Sequence, residues 1–220
     1  MVCIEQMEKK EYTKSSICTK AVKALEREYP VAECTLDYDF DYQLLIATRL
    51  AAQCTDRRVN LVTKILFEKY HSLADFAFAE YEDIENIIMP CGFFRVKAKN
   101  IVDMCKMLLE KYDSKVPDNM EDLLSLPGVG RKTANLILGD IYKKSAIVVD
   151  THCMRITKRL GLHKSKNPFT VEKILEKLLQ KEESNDFCHR LVTHGRRVCR
   201  AINPKCEGCC LSNFCDKEDL

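Results

Sequence analysis

The sequence predicts an all-α protein of two helical lobes. Apolar residues recur at three- and four-residue spacing in successive windows, and breakers such as Pro30, Pro90-Cys91-Gly92 and Pro127-Gly128 separate those windows. No pair of alternating strands, internal repeat or low-complexity tract interrupts them. At 220 residues the chain is long enough for one large domain or for two lobes sharing a cleft, and the second is the expectation.

In chain order, Ser15 or Ser16 caps a first helix that carries Ile17, Val22 and Leu25 on one stripe, runs through Tyr29 and stops at Pro30. Residues 42–53 read YQLLIATRLAAQ, apolar on most sides, as suits a helix at the centre of a bundle. After Cys54-Thr55-Asp56, Thr55 caps a helix to Tyr70 whose buried stripe is Val59, Val62, Ile65 and Leu66. Ser72 starts short helices that reach Met89, and a turn at Phe93-Phe94 leads into a helix over 96–112. Val116-Pro117-Asp118 marks a linker with a helix start. It leads to Leu126-Pro127-Gly128-Val129-Gly130, a tight turn between two helices, where Pro127 fixes one φ and both glycines permit positive φ. Residues 143–149 are β-branched but short and read as an extended segment crossing between lobes. Asp150 caps the next helix, with Ile156 and Leu160 on its stripe, and helices over 168–181 and 185–198 precede a cysteine-rich loop.

Composition narrows the class. Hydrophobic residues make up 46% and charged residues 31%, and no apolar run approaches the ~20 residues that span a bilayer. Residues 1–11 place Glu5, Glu8, Lys9 and Lys10 among few apolar neighbours, unlike a secretory signal, so an intracellular protein is expected. Net charge is only +2, so any basic footprint must be local. Thirteen cysteines, mostly scattered, argue for a reducing compartment rather than a disulfide framework. Cys18, Cys105 and Cys188 read as small buried hydrophobes.

Several residues carry chemistry. The turn glycines Gly128 and Gly130 leave backbone N–H groups uncovered where a helix begins, and that positive end suits a phosphate. Arg131 adds charge there. Lys132, two residues past the turn, projects an amine toward whatever the turn holds, and an amine beside a DNA backbone can be a nucleophile. Phe93 and Phe94 could supply an apolar wedge to opened DNA. Asp150 sits where a helix end favours a negative carboxylate. Cys199, Cys206, Cys209 and Cys215 follow the spacing C-x6-C-x2-C-x5-C in a loop with too few apolar residues to fold alone. Four thiolates suit zinc or an iron-sulfur cluster; the uneven arms favour [4Fe-4S], and Cys210 leaves room for a one-residue slip. From 190 to 206, Arg190, Arg196, Arg197, Arg200 and Lys205 occur without an acidic residue, a concentrated patch for phosphates.

Taken together these motifs resemble the endonuclease III family of DNA glycosylase/AP lyases, within the helix-hairpin-helix base-excision superfamily. The likeness covers nearly the whole chain. It is carried by LIATRLAAQCTD ending at Asp56, Lys-Ala-Lys-Asn at 97–100, LPGVGRKTAN at 126–135, Val-Asp-Thr-His at 149–152 and the four spaced cysteines. The resemblance implies a six-helix barrel over 34–144 and a second lobe from 1–33 and 145–220 that bears a C-terminal [4Fe-4S] loop. A DNA-binding cleft would lie between them, with Lys132 on one wall and Asp150 on the other. It further implies a bifunctional enzyme on double-stranded DNA, removing oxidised pyrimidines or acting at abasic sites through a Lys132 imine and β-elimination, with Gln53 entering the vacated space. A monomer away from membranes is expected, cytoplasmic and nucleoid-associated in a prokaryote, nuclear or organellar otherwise. The chain departs from the family pattern with Phe93 where many relatives have an aliphatic wedge and Ala51 where Ser is frequent. Lys132, with Arg49 in place of an early-helix glutamate, argues against the adenine-excising branch.

Overall fold

The computed structural model describes residues 12–217, so the charged stretch read within 1–11 lies outside the described residues. Among these, every regular element is helical. In chain order they are α1 (Lys14–Glu28), α2 (Asp41–Ala51), α3 (Asp56–Lys69), α4 (Leu73–Ala77), α5 (Tyr81–Ile88) and α6 (Phe94–Lys111), with a 3-10 turn at Met89–Cys91 before α6. They continue as α7 (Met120–Ser125), α8 (Arg131–Asp140), α9 (Thr151–Arg159), α10 (Pro168–Leu178) and α11 (Ser184–Arg197). Two compact units result, Glu33–Val148 and Met1–Ala32 with Val149–Leu220. The sequence reading ends the middle unit at 144. The structure carries it to 148, because Ala146 is buried in that unit's core and Asn135 Nδ2 donates to the Ile147 carbonyl at 3.0 Å.

The middle unit is built on α2, whose Leu44, Leu45, Ile46, Ala47 and Leu50 are fully buried and which packs on α3, α6 and α8. Gln43 is buried with them and stays satisfied, its Oε1 accepting the N–H groups of Asp39 and Phe40 at 2.7 and 3.2 Å. Phe76 anchors a ring cluster with Tyr42, Phe67 and Tyr70 at centroid distances of 6.2, 6.2 and 5.1 Å. On α3 the buried positions are Val59, Val62, Thr63 and Leu66, while Ile65, expected inside, is 58% exposed. A helix turns about 100° per residue, which carries position 65 round to the side away from 59, 62 and 66.

Three helix starts also differ from expectation. α1 is capped by Thr13, whose Oγ1 accepts from Ser16 N at 3.2 Å, so Ser15 and Ser16 already lie inside the helix. Thr55 holds the N-cap position of α3 without a side-chain capping bond. α6 begins at Phe94, two residues before the expected 96. Ser72 does cap α4, accepting from Asp75 N at 3.1 Å.

The other unit packs α1 against α10 and α11, and α9 against α11. Ile17, Leu25, Cys153, Leu175, Phe187 and Leu191 form its interior. Cys18 and Cys188 are buried here, as Cys105 is in the middle unit. Burial pushes the Cys18 thiol up to about 12, which keeps it protonated and inert.

The turn between α7 and α8 closes through Val129 N to the Leu126 carbonyl at 3.1 Å. Gly128 has φ +78°, and a Cβ there would meet Arg49 Nε at 2.8 Å, Arg49 Cδ at 2.9 Å and Asn100 Cβ at 3.0 Å. Gly130 differs from the reading of two left-handed glycines: it is the N-cap of α8, with φ −106° and ψ 175°, and open space surrounds its Cβ position. An N-cap requires extended backbone, which any residue adopts. Gly128→Ala is therefore expected to lose about 2 kcal/mol or more from left-handed strain and displacement of Arg49. Gly130→Ala is expected to stay within about 1 kcal/mol of the parent. Urea denaturation of the two variants checks the difference.

Candidate active site and metal centre

At the start of α8 the Gly130 carbonyl accepts from Ala134 N at 2.9 Å, which leaves the N–H groups of residues 131–133 outside the helical ladder. They face outward at the positive end of the helix, where a phosphate oxygen can be held. Lys132 lies in this first turn and is exposed, so the protein alone does not take its amine out of water. Arg131, beside it, is half-buried.

Gln53 comes after α2 in a turn, exposed and left-handed at φ 57°. Phe93 is also left-handed, φ 48°, and stands 67% exposed as the N-cap of α6. Phe94 is placed differently: it is half-buried against the middle core, with the Arg95 guanidinium 5.6 Å from its ring centroid. Between these turns lies a residue the sequence reading did not single out for a role. Lys97 is 1% exposed and donates its three ammonium protons to the carbonyls of Leu50, Ala52 and Cys91 at 2.8, 2.8 and 2.9 Å. Arg49 Nε donates to Asn100 Oδ1 at 3.0 Å directly under Gly128.

In the other unit Asp150 is the N-cap of α9, its Oδ1 accepting from Cys153 N at 2.7 Å. That bond leaves Oδ2 outside the cap. Arg196, Arg197, Arg200 and Lys205 are exposed, Arg197 lying 5.8 Å from the Tyr29 ring centroid. Arg190 departs from the charge-run reading: it is buried, with Nε donating to the Tyr29 carbonyl at 3.1 Å and Nη2 3.5 Å from Asp186. It braces α11 rather than facing phosphates.

The cysteines Cys199, Cys206, Cys209 and Cys215 line one small cavity together with Arg159 and His194. Cys210 is absent from that lining. Four cysteine thiols on one cavity are a donor set that suits either zinc or an iron-sulfur cluster. Arg159 Nη1 donates to Cys199 Sγ at 3.3 Å and to the Arg200 carbonyl at 2.7 Å, while Arg155 Nη2 reaches the Cys199 carbonyl at 2.8 Å. The hydrogen bond from Cys210 holds the Cys209 thiol well below its usual range, and His194, whose Nε2 is 3.5 Å from Cys209 Sγ, adds to this against burial. The same bond and burial push Cys210 up. Of the two neighbours, Cys209 is the one that lines the cavity.

The chain as a whole has relatives. The HhH-GPD superfamily of base excision DNA repair proteins matches residues 46–181. The chain is 44% identical over 204 residues to endonuclease III of Synechocystis sp., covering 92% of this chain and 93% of that one. It is similar to the protein in a solved non-covalent endonuclease III–DNA complex, with a TM-score of 0.88 at 41% identity over 94% of this chain and 97% of that one. A trapped endonuclease III–DNA covalent intermediate matches equally well, with the same TM-score, identity and coverage.

Cys210→Ser is expected to leave the metal content of purified protein unchanged. Cys209→Ser is expected to reduce it severely, as measured by elemental analysis of each variant.

Proposed function

We infer the reaction from the premise that the chain belongs to the HhH-GPD superfamily of base excision DNA repair proteins and, within it, to the endonuclease III family. It is a base excision repair enzyme, a DNA glycosylase and AP lyase. Its substrates, in our reading, are oxidised pyrimidines in duplex DNA and the abasic sites they leave. The observation that carries the reading is Lys132: an exposed amine in the first turn of the helix that opens at the glycine hairpin.

The hairpin N–H groups and Arg131 hold backbone phosphate, and the damaged nucleotide rotates out of the stack at a cost of a few kcal/mol, smallest for damaged pairs. Gln53 and Phe93 take up the space it leaves. As the N-glycosidic bond breaks, the base leaves with the electron pair and C1′ becomes electron-poor. The uncharged Lys132 amine bonds to C1′ and loses a proton; the C1′–O4′ bond then breaks, O4′ takes the electron pair and a proton, and the opened sugar is left as an imine of Lys132. Removal of a proton from C2′ then breaks the C3′–O bond and expels the 3′ phosphate. Water hydrolyses the imine and frees the amine. Asp150 stabilises the developing positive charge or accepts a proton during these transfers.

Cys199, Cys206, Cys209 and Cys215 would hold a [4Fe-4S] cluster, which when bound supplies a rigid staple for the loop between them. That loop and the end of α11 carry Arg196, Arg197, Arg200 and Lys205 to phosphates. Among the described residues no helix is long and apolar enough to cross a membrane. We read the protein as a cytoplasmic monomer with DNA as its partner.

Borohydride is expected to trap the protein covalently on a duplex with an abasic site, and Lys132→Ala to lower the yield by roughly three orders of magnitude. Equal trapping by the variant would remove Lys132 from the reaction. A duplex bearing one oxidised pyrimidine should also be cut; cleavage of the abasic duplex alone would restrict the enzyme to lyase chemistry.

A further inference from the structure

The turns that carry Gln53 and Phe93 are distant in sequence, yet one side chain ends both. Leu50 and Ala52, two of the acceptors of Lys97, stand at the C-terminal end of α2, where last-turn carbonyls lack helical partners and negative partial charge gathers. The third acceptor, Cys91, is the last residue of the 3-10 turn Met89–Cys91. An ammonium has three protons, and here each meets a carbonyl. The two turns meet again at Cys54 and Cys91, whose thiols are neighbours.

Each turn places a functional residue just past its acceptor. Gln53 comes directly after Ala52 and Phe93 two positions after Cys91, and both sit in left-handed backbone at φ 57° and 48°. Residues other than glycine persist there when their surroundings over-determine them. The same helices carry Arg49 and Asn100, which lie against Gly128. The hairpin and the two turns are therefore referenced to one α2–α6 frame.

We propose that Lys97 is a positioning residue that fixes the spacing between Gln53 and Phe93, so that both side chains enter the duplex as one unit at the damaged pair. This rests on the reading of damaged duplex DNA as substrate. Opening a base pair leaves a gap with two sides, the vacated site and the stranded partner base. Two turns free to shift independently would fill one side while the other closed. Turns tied through one ammonium advance together, and their distance from the phosphates gripped at the hairpin stays set.

Lys97→Met keeps the apolar stem and removes the ammonium. Two substrates divide the outcomes: a damaged base in duplex, which requires opening, and an abasic site in single-stranded DNA, which does not. Single-turnover excision from the duplex is expected to fall about tenfold or more, with single-strand cleavage within about twofold of wild type. Equal losses on both substrates, or no loss on either, would overturn the proposal. A second measurement uses exposed positions and stays available if Lys97→Met does not fold. Gln53→Ala, Phe93→Ala and the double variant are compared by fluorescence of 2-aminopurine opposite the lesion, which reports opening without chemistry. The double variant should be no worse than the weaker single variant by more than about twofold, whereas independent, multiplying effects would overturn the proposal. If the wild type cleaves neither substrate, the assignment of Lys132 fails; the fluorescence comparison, repeated with Lys97→Met, still decides the role of Lys97, since the variant should lower opening as far as the double variant does, and opening at the wild-type level would overturn the proposal.

Discussion

Gly128, turned left-handed over Arg49 and Asn100, is the constraint from which the rest of the middle unit takes its position. A Cβ at Gly128 would collide with the Arg49 and Asn100 side chains, so the hairpin backbone lies against these two side chains of α2 and α6. α2 can be that platform because it is apolar on most sides and buried along its length. The same platform holds Lys97. Taking an ammonium out of water costs several kcal/mol, and here three charge-assisted bonds of about 1.5–3 kcal/mol each offset that cost. The N–H groups at the start of α8, the Lys132 amine and the turns of Gln53 and Phe93 are all set by this arrangement.

The cysteine loop obeys another logic. It has few apolar residues, and its order comes from hydrogen bonds converging on it from α9 and α11. Arg155 and Arg159 reach the backbone of Cys199, Arg200 and Ala201, and His194 links Tyr29 to Cys209 at 3.1 and 3.5 Å. Of the two arginines, Arg159 also reaches a sulfur, donating Nη1 to Cys199 Sγ at 3.3 Å. Arg196, Arg197, Arg200 and Lys205 face solvent.

Much of this was legible in the sequence, because helix period and breakers are local signals. The stripes of α1 and α2, the cap at Ser72, the hairpin at Pro127-Gly128 and the N-cap role of Asp150 need no tertiary information. The misses share a cause: they depend on angle or on remote partners. Thr13, Ser15 and Ser16 can all cap a helix, and only the path of the entering chain selects Thr13. Ile65 is apolar but points away from the stripe of its own helix. Arg190 reads as part of a phosphate-facing patch and Lys97 and Arg159 receive no role of their own, although each sits on a buried stripe: Lys97 shares a face with Ile101, Met104, Cys105 and Leu108. A charged residue at such a position was the available signal. It marks a side chain recruited to satisfy backbone carbonyls, and those carbonyls cannot be identified before the fold is known.

The central claim is that the amine at the hairpin is the group that bonds to the sugar. Peptide mapping by mass spectrometry of the borohydride-reduced cross-link between wild-type protein and abasic DNA tests it directly. A deoxyribose remnant is expected on the peptide containing Lys132. A remnant on any other lysine, or on the N-terminal amine, would contradict the claim.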